Sequence, residues 1–423
     1  MSDQPIGAAL VPDMTEDELQ RARAVDSVLG VLADNALQAD QEAILPRENV
    51  DAISAAGLLG INVPKEYGGL GGGLRDTTAA TFALGTACPS TALAYFFHTS
   101  ATSRGLLPMA AADAGLFVGQ EEHVVREFGR QVLDRMAKGR WMANFASESV
   151  KTSKAAISIS TSAEPADGGW KLSGVKAFGC GTGVADDYLV TAKFPGGDTA
   201  DHLGVFIVDP QAEGVSERPP WNAVGMRGSA SHGIILDEVF VPAELALTVP
   251  GAFPKMLQMA RGSFVGNQIA GTSVYVGGAK TIYDFAINHL TKTKFKDTGE
   301  SIGTAPFQQQ LVGEMRMHYT NALLWLREQL YLESTEPPPL PNDEVVANWR
   351  IAKGSIAEAG FAVASTAVKA CGTGNTVNTG VIARGLRDMT MGLVQAFPPE
   401  RGRMEAASFT IKGAENRQFG TGG

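Results

Sequence analysis

The side chains able to do chemistry are few in kind, and their spacing removes several reactions at once. The six histidines show no HxxxH or HExxH spacing, so no helical zinc site of the metalloprotease type is written into the chain. Cys88, Cys180 and Cys371 stand far apart, form no CxxC pair and are odd in number. That predicts reduced thiols in a cytoplasmic protein rather than a disulfide framework or a structural zinc. No GxSxG turn exists, and Ser229 and Ser231 have no base nearby in sequence, which argues against a hydrolase. The glycine-rich stretch Gly68 to Gly73 lacks the Lys-Ser/Thr that completes a phosphate-binding loop and reads as a flexible loop. Gly179-Cys180-Gly181-Thr182-Gly183 follows one β-rich run but leads into another, Tyr188-Leu189-Val190. With no helix N-terminus to hold a pyrophosphate, it reads as a turn between strands.

The elements that must position these groups fall into three blocks. Residues 1–140 read as an N-terminal α-helical domain, because apolar residues recur at three- and four-residue spacing and Gly and Pro gather at intervals such as Pro64 to Gly73. Residues 141–248 read as a middle β domain of short strand-like runs, 170–178, 187–194, 203–208 and 233–241, parted by Gly, Asp and Pro. Residues 249–423 return to helical periodicity; Leu311, Met315, Tyr319, Ala322, Leu326 and Leu330 line one face of a long helix. The proline-rich stretch from Ser334 to Asp343 cannot continue a helix and is expected to join two long antiparallel helices. This order is α+β and contradicts the alternating pattern of a nicotinamide-binding sheet. A chain of 423 residues, 44% of them hydrophobic, can bury a large core. With 35 Lys and Arg against 45 Asp and Glu, a formal charge of −10 and no basic block, nucleic acid is not an expected partner. No uninterrupted apolar run reaches the roughly 18 residues of a membrane span, and no signal-peptide pattern opens the chain. The expectation is a soluble cytoplasmic protein.

Two long motifs then carry a resemblance. Gly57-Leu-Leu-Gly-Ile-Asn-Val-Pro64-Lys-Glu-Tyr67-Gly-Gly69 resembles the helix-to-loop passage near the N-terminus of acyl-CoA dehydrogenases. Trp221-Asn-Ala-Val-Gly225-Met-Arg227-Gly-Ser229-Ala-Ser231, continued through Asp237-Glu-Val239-Phe-Val-Pro242, resembles the end of their β domain. Similarity extends over Phe295 to Met315, over Cys371-Gly372-Thr373-Gly374, and over Arg387-Asp388. The resemblance implies an acyl-CoA dehydrogenase-like fold: an N-terminal helical domain, a middle β-barrel-like domain and a C-terminal four-helix bundle. It also implies FAD as cofactor, a homodimer or homotetramer whose neighbouring subunit completes the flavin site, an acyl thioester as substrate and an electron acceptor protein as a further partner. Carried onto this sequence, Phe145 and Ser147 would face the flavin pyrimidine and Ser153 its pyrophosphate. Phe178 would pack on the isoalloxazine, and Cys180 falls where the family often has a Thr hydroxyl beside flavin N5. Lys292 or Lys294, before Phe295, stands in place of an Arg that reaches a neighbour's pyrophosphate, while Gln308 and Cys371 to Gly374 would meet the adenylate half.

The expected carboxylate base is missing. Desaturating a thioester requires a carboxylate to take the α-proton while the flavin accepts the β-hydride. The family's commoner position falls here at Gln395 and Ala396, and its other position near Ser263, Phe264 and Val265; neither is acidic. Glu400, after Pro398-Pro399, is one replacement, and Glu148 or Glu405 are others. His98, in Tyr95-Phe-Phe-His98, could serve as a donor near the pocket, although a histidine lying among aromatics is more commonly satisfied within a core. Flavin monooxygenases of the same fold dispense with the base, use reduced flavin and oxygen, and act on non-CoA substrates. The stretch from Phe178 to Asp187 resembles theirs, without the C-terminal His typical of that branch. A non-catalytic flavin- or ligand-binding partner subunit is the third reading.

Overall fold

A computed structural model of the chain describes residues 4–148, 159–262 and 268–412, and it opens with a helix whose start the sequence dictates. In α1 (Glu16–Glu42) the Thr15 hydroxyl accepts from Glu18 N at 3.3 Å while Thr15 N donates to the Glu18 carboxylate at 2.7 Å, a reciprocal cap that satisfies two orphan amides. Ala22, Val25, Leu32, Ala36 and Ala39 then bury one stripe of the helix. Helices α2 (Arg47–Ala55), α3 (Leu74–Ala87), α4 (Pro89–Ser100), α5 (Ser103–Asp113) and α6 (Gln120–Ala137) complete the N-terminal part. Pro89 opens α4 at a position whose amide would be unpaired in any case.

The middle part is one curled sheet of β1 (Met142–Phe145), β2 (Ser162–Ala166), β3 (Gly169–Lys176), β4 (Asp187–Lys193), β5 (Leu203–Val208), β6 (Val215–Glu217), β7 (Ile234–Pro242) and β8 (Ala246–Leu247). Its order is β6-β7-β3-β2-β4-β5-β8, with β1 added parallel to β4. The strand period of two divides its side chains between two cores. Met142, Leu189, Val205 and Ile207 enter the core shared with α5 and α6, whereas Ala143, Phe145, Tyr188, Val190 and Phe206 enter the central one.

After α7 (Ala252–Gln258) come α8 (Gln268–Lys292), α9 (Pro306–Ser334), α10 (Asn342–Cys371), α11 (Val381–Gly392) and α12 (Pro399–Lys412). Helices α8 to α11 form the C-terminal bundle, α12 lies on α10, and the proline-rich stretch links α9 to α10. No described helix is long and apolar enough to cross a membrane.

The three parts meet at the loop of residues 221–231. A Cβ on Gly225 would stand 2.0 Å from the Arg387 carbonyl, so only glycine allows this loop to lie on α11. Met226 N donates to the Asp388 carboxylate at 2.6 Å. Arg227 reaches the Asp40 carbonyl on α1 at 2.6 Å, and Arg387 pairs with the Asp40 carboxylate. Two motifs far apart in sequence thus form one junction.

Candidate active site

Strands β1 and β3 end side by side: Ala177 N donates to the Ser147 carbonyl at 3.0 Å. Ser147 is exposed beside this contact. Phe178, the next residue, has φ +62° and is 53% exposed, a combination unusual for an aromatic residue. Its ring meets Trp221 edge-on, centroids 5.5 Å apart. The indole Nε1 atoms of Trp221 and Trp141 are buried without a partner among the described residues. An open aromatic face beside an exposed hydroxyl suits a planar, largely apolar ring with polar edges, so this face fits a flavin.

Phe145 does not present its ring there. It is fully buried against Tyr188, centroids 4.8 Å apart, and its ring lies under Gly179, where any Cβ would collide with it. Phe145 turns inward on the same face of β1 as Ala143, and Ser147 lies exposed beyond the end of the strand. Ser153 lies outside the described residues. Residues 179–183 form the expected turn between β3 and β4. Cys180 is buried at 3% exposure and exchanges a hydrogen bond with Ser231 at 2.9 Å; Ser231 is joined to Ser229 at 2.8 Å. Burial pushes the Cys180 thiol up to about 11, so it stays protonated and unreactive as a thiolate.

Glu148 lies just beyond β1. Its carboxylate accepts from Lys176 Nζ at 2.7 Å, from Ser160 N at 2.7 Å and from Thr161 N and Oγ1 at 3.0 and 2.7 Å. Burial opposes its charge, but Lys176 and these donors outweigh it and bring the carboxyl to about 2. A group held so far below neutrality is a poor proton acceptor; Glu148 instead ties the end of β1 to Lys176 and to Ser160 and Thr161.

At the position where the resemblance puts the family's base, a neutral pair is found. The Tyr275 hydroxyl on α8 donates to Gln395 Oε1 at 2.9 Å just beyond α11. The Tyr275 ring lies against Gly392, and burial raises its hydroxyl well above the ordinary range. Ala396 takes φ +64°. The Lys353 ammonium holds the turn by donating to the Gly392 carbonyl at 2.8 Å and to that of Phe397.

The two proposed catalytic groups lie elsewhere. Glu400 is on the exposed first turn of α12, 3.3 Å from Arg403 with its side chain 74% exposed. Glu405 pairs with Arg350 at 3.1 Å and Arg401 at 2.7 Å. His98 is fully buried, its Nε2 bonded to the Leu59 carbonyl at 2.9 Å and its Nδ1 accepting from Met142 N at 2.9 Å. Burial pushes it down to about 4. With both nitrogens engaged, the neutral imidazole joins α4 to β1 and has no atom left to offer a substrate.

The remaining sequence candidates gather at one end of the bundle. Asn375, in the turn after Cys371, lies 3.4 Å from His289 near the end of α8, which Lys292 ends and Lys294 and Phe295 follow. Thr366 on α10 bonds Glu314 on α9 at 2.8 Å, and because these helices are antiparallel Gln308 and Gly372 to Gly374 extend to the same end. Lys292, Phe295 and Gly372 to Gly374 are exposed, Cys371 is buried, and Gln308 is half-buried with Oε1 unpartnered among the described residues. Sequence reasoning missed Lys176, Lys353 and Tyr275. Tyr275 had a signal, a phenolic residue within the otherwise apolar run Val274 to Val276; the lysines had none.

Comparison with known proteins bears on this geometry. The acyl-CoA dehydrogenase N-terminal domain model matches residues 14–113 and the middle domain model residues 143–239. The putative acyl-CoA dehydrogenase YdbM of Bacillus subtilis is 24% identical over 86% of this chain and 91% of its own length. The oxygenase component of an FADH2-dependent resorcinol hydroxylase from a Rhizobium species is 27% identical over 57% of this chain and 52% of its own. Among solved structures, KijD3 bound to FMN and a dTDP-linked amino keto sugar superposes with a TM-score of 0.79 at 22% identity, covering 99% of this chain and 98% of that one. Butyryl-CoA dehydrogenase of Megasphaera elsdenii gives 0.76 at 18% identity, over 94% and 99%.

Proposed function

Because the chain belongs to the acyl-CoA dehydrogenase superfamily, a family of flavin-dependent enzymes, we propose that it is an FAD-dependent monooxygenase acting on a non-CoA substrate. The observation that carries this reading is the Tyr275–Gln395 pair, a neutral hydrogen-bonded couple where an α-proton would have to be taken. An amide cannot accept that proton at neutral pH, and the internal segments 149–158 and 263–267 contain no Asp or Glu. When bound, reduced flavin would supply two electrons to O2, one oxygen atom going to substrate and the other to water.

The chain's own part is to seat the ring and keep water out. Phe178 and Trp221 offer the apolar face, Ser147 offers a polar contact, and Glu148 with Lys176 fixes the strand ends beside them. The bundle end with Phe295, Gln308 and Thr373 serves a second copy of the chain, making a homodimer or homotetramer in which each flavin is held by two subunits. The likeness to YdbM supports a second reading, α,β-dehydrogenation of an acyl thioester by a base other than Glu148, Glu400 or Glu405. Oxygen-atom transfer separates them: protein supplied with chemically reduced FAD and O2 should pass an oxygen atom to an aromatic or amino-sugar probe. Oxygen uptake that yields only hydrogen peroxide with every probe would count against monooxygenation.

A further inference from the structure

Among the described residues four lysine or arginine side chains are buried: Arg104, Lys176, Arg350 and Lys353. Three have partners: Lys176 has Glu148, Arg350 has Glu405, and Lys353 has two carbonyl oxygens. Arg104, on α5, has none among the described residues. It is 7% exposed, and its Nε and one terminal nitrogen are enclosed without a hydrogen bond. The group facing it is the ring of Phe253 on α7, with the guanidinium carbon 5.4 Å from the centroid. Burial lowers its pKa to about 10, with no acid contributing. It remains a cation at neutral pH, and an uncompensated buried cation is strongly unfavourable.

A fork of donors enclosed in this way is suited to a carboxylate, which it can bind through two parallel hydrogen bonds. The surroundings dictate the rest of the ligand. Gly105 and Gly129 let α5 and α6 approach closely, a Cβ on Gly105 standing 2.9 Å from Leu133. The core there consists of Phe117, Val125, Phe128, Leu133 and Met256. Beyond its charged group the ligand must therefore be apolar. We propose that Arg104 anchors the carboxylate of an apolar organic acid bound between α5 and α7. The argument rests on Arg104 and its surroundings and does not depend on the oxygen-using reading.

The test is a thermal unfolding series on the full chain as purified, with benzoate as probe and benzamide as its neutral isostere. Benzoate should raise Tm in a saturable manner while benzamide does not. Arg104→Met, folded by circular dichroism, should lose the response, and Arg104→Lys should need at least about tenfold more benzoate, since it keeps the charge but not the fork. Equal effects of benzoate and benzamide, or an undiminished response in Arg104→Met, would overturn the proposal. Inorganic phosphate acting as well as benzoate would overturn the carboxylate assignment. If Arg104→Met does not fold, the benzoate–benzamide comparison and Arg104→Lys decide the matter.

Discussion

Lys176 and Arg104 are both buried cations, yet they sit in opposite circumstances. Lys176 lies at the end of β3 with the Glu148 carboxylate at 2.7 Å, in a closed set of hydrogen bonds that joins β1, β2 and β3. Arg104 lies among apolar residues with, among the described residues, an aromatic ring in place of a charged partner. A buried charge whose partner is built in holds structure together, whereas one whose partner is missing costs stability until a ligand arrives. The first kind frames the face of Phe178; the second is where the proposed ligand would supply the partner.

The largest expected effect lies on the paired side. Glu148→Gln leaves the Lys176 ammonium buried without its carboxylate and should cost about 3–5 kcal/mol in urea denaturation. Replacing both residues by apolar ones of similar volume should recover most of that loss. A single-variant loss below about 1 kcal/mol would mean that water reaches the pair.

Next in size is the response of His98 to acid. Its pKa is about 4 in the folded protein against 6.5 ordinarily. As pH falls the unfolded chain takes up the proton first, so stability should be lost between about pH 6.5 and 4, by about 3 kcal/mol in total. His98→Gln should flatten that part of the pH profile.

Arg104→Met should do the reverse of Glu148→Gln: without ligand, stability should stay level or rise by about 1 kcal/mol, because an unpaired charge has left the interior. A drop of several kcal/mol would show that Arg104 is as structural as Lys176. Smallest of all, Glu400→Gln should change stability by less than about 0.5 kcal/mol, its contact with Arg403 being an exposed helical pair.

The helix, sheet, helix order was legible because periodicity changes visibly along the chain. Four strand-like runs correspond to β3, β4, β5 and β7, whereas β1, β2, β6 and β8 escaped notice. Those four are short, and β2 (Ser-Ala-Glu-Pro-Ala) contains none of the branched or aromatic residues that mark a strand. The link between α9 and α10 followed from its prolines, which cannot continue a helix. The site was legible only in part. Phe178 and Ser147 could be picked from their motifs, but whether a ring points inward, as Phe145 does, depends on strand register that one sequence does not reveal. His98 shows the same limit, since its partners are backbone atoms of Leu59 and Met142, which carry no side-chain signature. Nothing in the sequence around Arg104 marks its burial against Phe253 of α7.

The central claim, that the neutral Tyr275–Gln395 pair replaces the proton-abstracting carboxylate, is tested most directly by anaerobic titration of the flavin-loaded protein with short- to long-chain acyl-CoAs, followed by absorbance. The oxidised flavin spectrum should persist throughout. Bleaching of the flavin by any acyl-CoA would contradict the claim and establish a dehydrogenase that draws its base from elsewhere in the chain.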